Sequence, residues 1–140
     1  MTKEVFDLRR FVEAQSAVIE RVYEELRAGE KRSHWMWFIF PQIRGLGRSA
    51  MAEKYAISSR EEAVAYGEHE ILGGRLRECT RLVNEVEGRT AGEIFGFPDD
   101  LKFHSSTTLF AATAADPRVF AKALEKYFGG KRDGETMRRI

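Results

Sequence analysis

The chain has 140 residues, of which 43% are hydrophobic and 32% charged, and a formal net charge of +1. That length suits one domain with one core, and the apolar content is too high for a disordered chain. The balanced charge argues against a strong whole-molecule field, so no nucleic-acid partner and no membrane partner is predicted.

The start of the chain, Met1 to Asp7, carries charges where a signal peptide needs an apolar stretch. The longest apolar run, Trp35 to Phe40, is too short to span a bilayer. A single cysteine, Cys79, permits no internal disulfide. Together these features predict a cytoplasmic protein; the oligomeric state stays open.

Val5, Leu8, Val12, Gln15, Ile19, Val22 and Leu26 advance in steps of three and four. The spacing predicts one amphipathic helix, with Asp7 as its cap and Gly29 at its end. Gln15 lies on the apolar stripe, so its amide needs a partner, which a loop backbone or a ligand could supply. The run Ser33 to Gln42 is too short for periodicity to separate helix from strand, but it must be buried on more than one side. Pro41 stops it, and Gly45-Leu46-Gly47 predicts a mobile turn. Ser49 caps a short helix through Tyr55.

Ser59-Arg60-Glu61-Glu62 has the spacing of a capping box and predicts a helix as far as Tyr66. Gly67, Gly73 and Gly74 punctuate the next stretch. Leu72, Leu76, Cys79, Val83 and Val86 form a second helical stripe, ended by Gly88. Thr90-Ala91-Gly92-Glu93 is another capping box. Pro98-Asp99-Asp100 predicts a helix start with an Asp as cap. The body of that helix, Leu101 to Ala114, is apolar almost all round, the pattern of a buried central helix. Yet Ser105, Ser106, Thr107 and Thr108 sit inside it. Asp116-Pro117 opens a last helix, Arg118 to Phe128, closed by Gly129-Gly130. No alternating strand of useful length occurs. The predicted fold is all-α: a compact multihelical single domain over residues 1–140, with about six to eight helices.

Several chemistries lack their motifs. His34, His69 and His104 have no metal-ligand spacing, so neither a metal nor a cofactor is predicted. There is no Walker loop and no Gly-x-Ser-x-Gly elbow. Gly45-Leu46-Gly47 lacks the third glycine and the preceding strand of a dinucleotide fingerprint. Cys79, on an apolar stripe, reads as a small core residue rather than a nucleophile.

The run His34-Trp35-Met36-Trp37-Phe38-Ile39-Phe40-Pro41-Gln42 is distinctive. So are Gly45-Leu46-Gly47 with Ser49, Tyr55-Ala56-Ile57, and Arg75-Leu76 with Glu78-Cys79. Further on, Ile94-Phe95-Gly96 is followed by Asp100, Lys102, Ser105-Ser106 and Thr108-Leu109-Phe110. In this order, from Leu8 to about Tyr127, the chain resembles an uncharacterised bacterial family, domain-of-unknown-function family 1810. Its members are sometimes labelled calpastatin, which we regard as a misannotation. The resemblance implies a compact multihelical fold and no established activity. Three positions depart from the family's pattern: Gly67 stands for an apolar residue, Glu70 for a proline after His69, and Thr107 for a methionine. The first two predict a loosened loop before the Leu72 helix.

The candidate site combines two motifs. His34, Trp35, Trp37, Gln42 and Arg44 come from the first; Asp100, Lys102, Ser105 and Ser106 from the second. On a helix Lys102, Ser105 and Ser106 share a face with Leu109. Lysine and hydroxyls near a helix N-terminus can hold an anion beside the unsatisfied amides. A lysine there opposes the helix macrodipole, so local stability gives no reason for it. Trp and Gln suit a flat hydrogen-bonding group such as a nucleobase, and His34 could act as a general base near neutral pH.

A purely structural reading stands beside this one. Asp100 caps, Lys102 pairs with an acid, the hydroxyls bond their own helix, and the aromatic run is core. Two functions remain open. One is a small-ligand site for an anionic, nucleotide-like metabolite, with hydrolase or transferase activity undecided. The other is a non-catalytic helical protein-binding or adaptor domain.

Overall fold

The computed structural model describes residues 5–140; the charged start, Met1 to Glu4, lies outside them. The described residues form ten helices around one core, more than the pattern predicted. None is long and apolar enough to cross a membrane.

The first stripe forms two helices, α1 (Arg9–Ser16) and α2 (Ile19–Arg27). The chain turns at Val18, whose φ of −129° leaves the helical region. The stripe keeps its phase across the turn: Leu8, Gln15, Ile19, Val22 and Leu26 are buried, while Val12 is half-buried and its neighbour Phe11, outside the predicted stripe, is fully buried. Val5 is 82% exposed and is no part of the stripe. Asp7 does not cap either. Leu8 holds the cap position with no side-chain bond, and the Asp7 carbonyl accepts from the Arg10 guanidinium.

The aromatic run contains a single helical turn, α3 (Met36–Ile39). Ser49 caps α4 (Ala50–Lys54) by accepting from the Ala52 amide. Ser59 caps α5 (Arg60–Glu68) in the same way. Glu62 does not close the expected box, because its carboxylate accepts from the Ser58 amide at 2.7 Å instead. Its other oxygen lies 3.2 Å from Arg10, which also donates to the carbonyls of Lys54 and Ala56. This clamp fixes residues 54–58 against α1.

The loop expected around Gly67 and Glu70 does not exist. α6 (Glu70–Glu85) starts directly after α5, with only His69 between them, and His69 Nδ1 accepts from the amides of Ile71 and Leu72. All three glycines of this region are helical. Gly73 sits where the two helices touch: a Cβ there would lie 2.2 Å from the Gly67 carbonyl oxygen.

Thr90 and Glu93 form the reciprocal box at α7 (Ala91–Phe95). The central helix is α8 (Asp99–Thr113), which packs against α5, α7 and two later helices, α9 (Arg118–Phe128) and α10 (Gly134–Arg138). Its cap position belongs to Pro98, whose carbonyl takes the Leu101 and Lys102 amides. Asp99 and Asp100 therefore lie inside the first turn, and neither is the cap. The α10 turn has no counterpart in the predicted elements.

The Ser/Thr run of α8 is buried, and two of its four hydroxyls are satisfied within the helix. Ser105 and Thr107 donate to the carbonyls four residues back. Ser105 also reaches the Asp133 carboxylate at 3.3 Å, and Thr108 accepts the Asp133 amide at 2.9 Å. Asp133 in turn caps α10 at Thr136. Half of the run is thus the seat of the C-terminal turn.

Candidate functional site

Two polar anchors hold the aromatic run. The first is Glu25, 7% exposed, on the inner side of α2. Its carboxylate takes the amides of Arg32 and Ser33, the Ser33 hydroxyl and the Trp35 indole N–H, at 2.5 to 3.0 Å. Burial alone would push this carboxyl up, but the four donors outweigh it and hold it at about 2. The second is Gln15, whose amide donates to the Phe38 carbonyl at 2.7 Å and to the Tyr66 hydroxyl at 2.9 Å. Arg75 approaches the Gln15 carbonyl oxygen from outside at 3.4 Å. Burial pushes the Tyr66 phenol well above its usual range. The partner of Gln15 is therefore backbone and protein, with no need of a ligand.

Between these anchors the run is buried except at one position. Trp35, Met36, Phe38, Ile39 and Phe40 are buried, while Trp37 is half-buried. Phe40 packs edge-on against Phe95 and Phe103. Two residues later the chain pairs with residues 55–58. Ile43 and Ile57 form a parallel bridge, in which Ile57 donates to the Gln42 carbonyl and Arg44 to the Ile57 carbonyl, both at 2.8 Å. That bridge fixes Gln42 beside the Gly45-Leu46-Gly47 turn.

Trp37, Gln42 and Lys102 then line one crevice, together with Met36, Phe40, Gly47 and Tyr55. The Lys102 ammonium lies 5.8 Å from the centroid of the Trp37 ring, within cation–π range. It is also 3.7 Å from Asp99, whose second oxygen holds Lys31 more closely, at 2.9 Å. Lys31 lies 5.2 Å over the Trp35 ring. Asp99 thus offsets two cations at the start of α8, where the macrodipole disfavours them. The free space in the crevice is about 10 Å³, the room of a single water.

The other predicted residues fall elsewhere. His34 is exposed and off the crevice wall. Trp35 is 1% exposed, with its indole committed to Glu25. Asp100 accepts the neighbouring Leu101 amide, and Ser105 turns toward Asp133. Ser106, one turn beyond Lys102, is fully buried, and its hydroxyl has no hydrogen-bond partner among the described residues. A buried hydroxyl without a partner is costly.

Sequence reasoning missed Glu25, Lys31 and Asp99. Glu25 carried no motif, since its donors lie seven to ten residues downstream. No cluster of three or more His, Cys, Asp or Glu side chains among the described residues could hold a metal.

The comparisons with known proteins agree with the fold. A crystal structure of a conserved hypothetical protein, Rv1873 from Mycobacterium tuberculosis, is 58% identical, with a TM-score of 0.95 over 96% of each chain. No curated protein matches. A family model described as "Protein of unknown function (DUF1810)" matches residues 5–140, and the chain belongs to that family.

Proposed function

We propose that this protein binds a small anionic metabolite carrying a flat group, nucleotide-like in chemistry, at the Trp37–Gln42–Lys102 crevice. One observation carries the reading: a half-buried indole, a lysine over its face and a carboxamide line the same opening. Those three groups offer a ring face, hydrogen bonds and a positive charge, which suit a planar, hydrogen-bonding, negatively charged ligand.

The crevice is narrow, so the ligand enters by displacing Lys102 from the ring. Little opposes that movement. Asp99 keeps Lys31 at 2.9 Å when the 3.7 Å contact to Lys102 is given up. The freed ammonium then meets the ligand's charge, and the indole face receives its ring. We assign no chemical step, because His34 is not on the wall. The reading is of a cytoplasmic binding protein rather than of a hydrolase or transferase.

The test is a thermal-shift screen with nucleotides and sugar phosphates. Wild type should be stabilised by at least one ring-bearing phosphate, and Lys102→Ala should fold normally and lose that stabilisation. A wild type unmoved by the whole panel rejects the proposal. Unfolding of Lys102→Ala would make Lys102 a structural partner of Asp99 instead.

A second reading, a protein-binding domain, rests on Phe97 and Leu101. These apolar side chains are 82% and 52% exposed, Phe97 just before the Pro98 cap and Leu101 in the first turn of α8. If it holds, Phe97→Asp with Leu101→Asp abolishes complex formation and leaves ligand stabilisation intact.

A further inference from the structure

The Gly45-Leu46-Gly47 turn has no part in the crevice chemistry beyond lending Gly47 to its wall. Both glycines are required by geometry. Gly45 has φ of +100°, and a Cβ at Gly47 would lie 2.5 Å from that of Ala52. Neither amide finds an acceptor in the protein among the described residues.

Beside this turn lies a second hollow of about 290 Å³, lined by Arg44, Gly45, Gly47, Glu53 and Ala56. It shares Gly47 and Ala56 with the Trp37 crevice, so the two spaces meet along one stretch of backbone. Arg44 makes no ion pair and no side-chain hydrogen bond among the described residues, although Glu53 lines the same hollow. Arg139 from the C-terminal end of α10 lies against the turn. Its guanidinium nitrogen is 2.9 Å from where a Gly45 Cβ would stand. Its contact with Glu135 is long, 3.6 Å, and exposed on both sides. Such ion pairs contribute little.

We propose that this hollow is a phosphoryl site, with Arg44 as its cationic wall, the glycine backbone as its floor and Arg139 beside Gly45 at its edge. Guanidinium groups suit it because they present paired donors to phosphate oxygens. The inference rests on the crevice reading for the rest of the ligand: a ring on Trp37 places its phosphate tail across Gly47 in this hollow. Lys102 then serves the ring-proximal charge and the arginines the distal one. The substrate class is thereby narrowed to metabolites whose ring and terminal phosphate are separated by a linker. Glu53 is the one acid in the hollow, and it opposes the anion.

The experiment uses pyrophosphate alone, titrated into the full-length protein at constant ionic strength and followed by amide NMR. Shifts centred on Gly45 and Gly47 are expected. Arg44→Ala should weaken binding roughly tenfold, the loss of one charge-assisted bidentate contact. Arg139→Ala should also weaken it, while Glu53→Gln should strengthen it. No shift at the two glycines, or affinity indifferent to Arg44, Arg139 and Glu53, overturns the proposal. Pyrophosphate binding with no gain from a ring-bearing phosphate would sustain this site and refute the crevice reading, so the two fail separately.

Discussion

Removing the Glu25 carboxylate releases the segment that leads into the aromatic run. The group is 7% exposed and satisfies four donors, one of them the indole of Trp35. Its carboxyl falls from 4.5 to about 2 on folding, which corresponds to about 3 kcal/mol of stability. The sign follows from the depressed value. The contribution is complete at neutral pH, begins to fade as pH falls through the unfolded value near 4.5, and is gone below about 2. Glu25→Ala should cost roughly 3–5 kcal/mol, since it strands buried donors as well as removing the charge. Glu25→Gln keeps an acceptor for the amides and should cost less, about 1–3 kcal/mol. Urea unfolding at pH 7 measures both. Repeated between pH 5 and pH 2.5, it should show a weaker acid dependence in Glu25→Gln than in wild type. Asp116 and Glu78, whose carboxyls are also held low by arginines, are common to both proteins and cancel in that comparison. An alanine variant that loses under about 1 kcal/mol, or identical acid dependence in the two proteins, would show that this carboxylate does not hold the segment.

Other outcomes follow from the same geometry. Gln15→Leu leaves the Phe38 carbonyl and the Tyr66 hydroxyl short of a partner and should cost about 1–3 kcal/mol by denaturant unfolding. The Cys79 thiol is fully buried, and burial pushes it up to about 12, so a thiol reagent should label it slowly in the native state and quickly in denaturant. Gly73→Ala should destabilise by roughly 1–3 kcal/mol through its clash with the Gly67 carbonyl. Gly67→Ala, whose Cβ meets open space, should stabilise by about 0.5–1 kcal/mol; equal effects at the two glycines would contradict the close approach of α5 and α6.

Elements with local determinants were legible in the chain. Ser49, Ser59 and the Thr90–Glu93 box all mark true helix starts. The stripe through Leu76 and Cys79 predicts α6, and the Asp116-Pro117 start with the Gly129-Gly130 end predicts α9. The break at Val18 was not legible, because the buried positions keep helical spacing across it. Nor was the start of α8. Asp99 has the identity of a cap, but the helix begins one residue earlier and spends that carboxylate on Lys31 and Lys102. The α10 turn carried a signal in Asp133-Gly134-Glu135-Thr136, beyond the Gly129-Gly130 pair that marks the end of the predicted elements. In the candidate site, the meeting of Trp37, Gln42 and Lys102 depends on the Ile43–Ile57 bridge and on α8 passing beside α3. These are long-range contacts that no spacing encodes. Ser105 could not be assigned to its true face without knowing that Asp133 returns to it.

The most direct test of the binding site is the pair of tryptophan indole resonances. The chain has two tryptophans with opposite environments: Trp35 is buried on Glu25, and Trp37 is half-buried in the crevice under Lys102. Titration with a nucleotide and sugar-phosphate panel, followed by proton–nitrogen correlation, reads both at once. A ring-bearing phosphate should shift the Trp37 indole saturably and leave Trp35 in place, and in Lys102→Ala it should shift neither. A Trp37 indole unmoved by every ligand that binds the protein would contradict the crevice as the binding site.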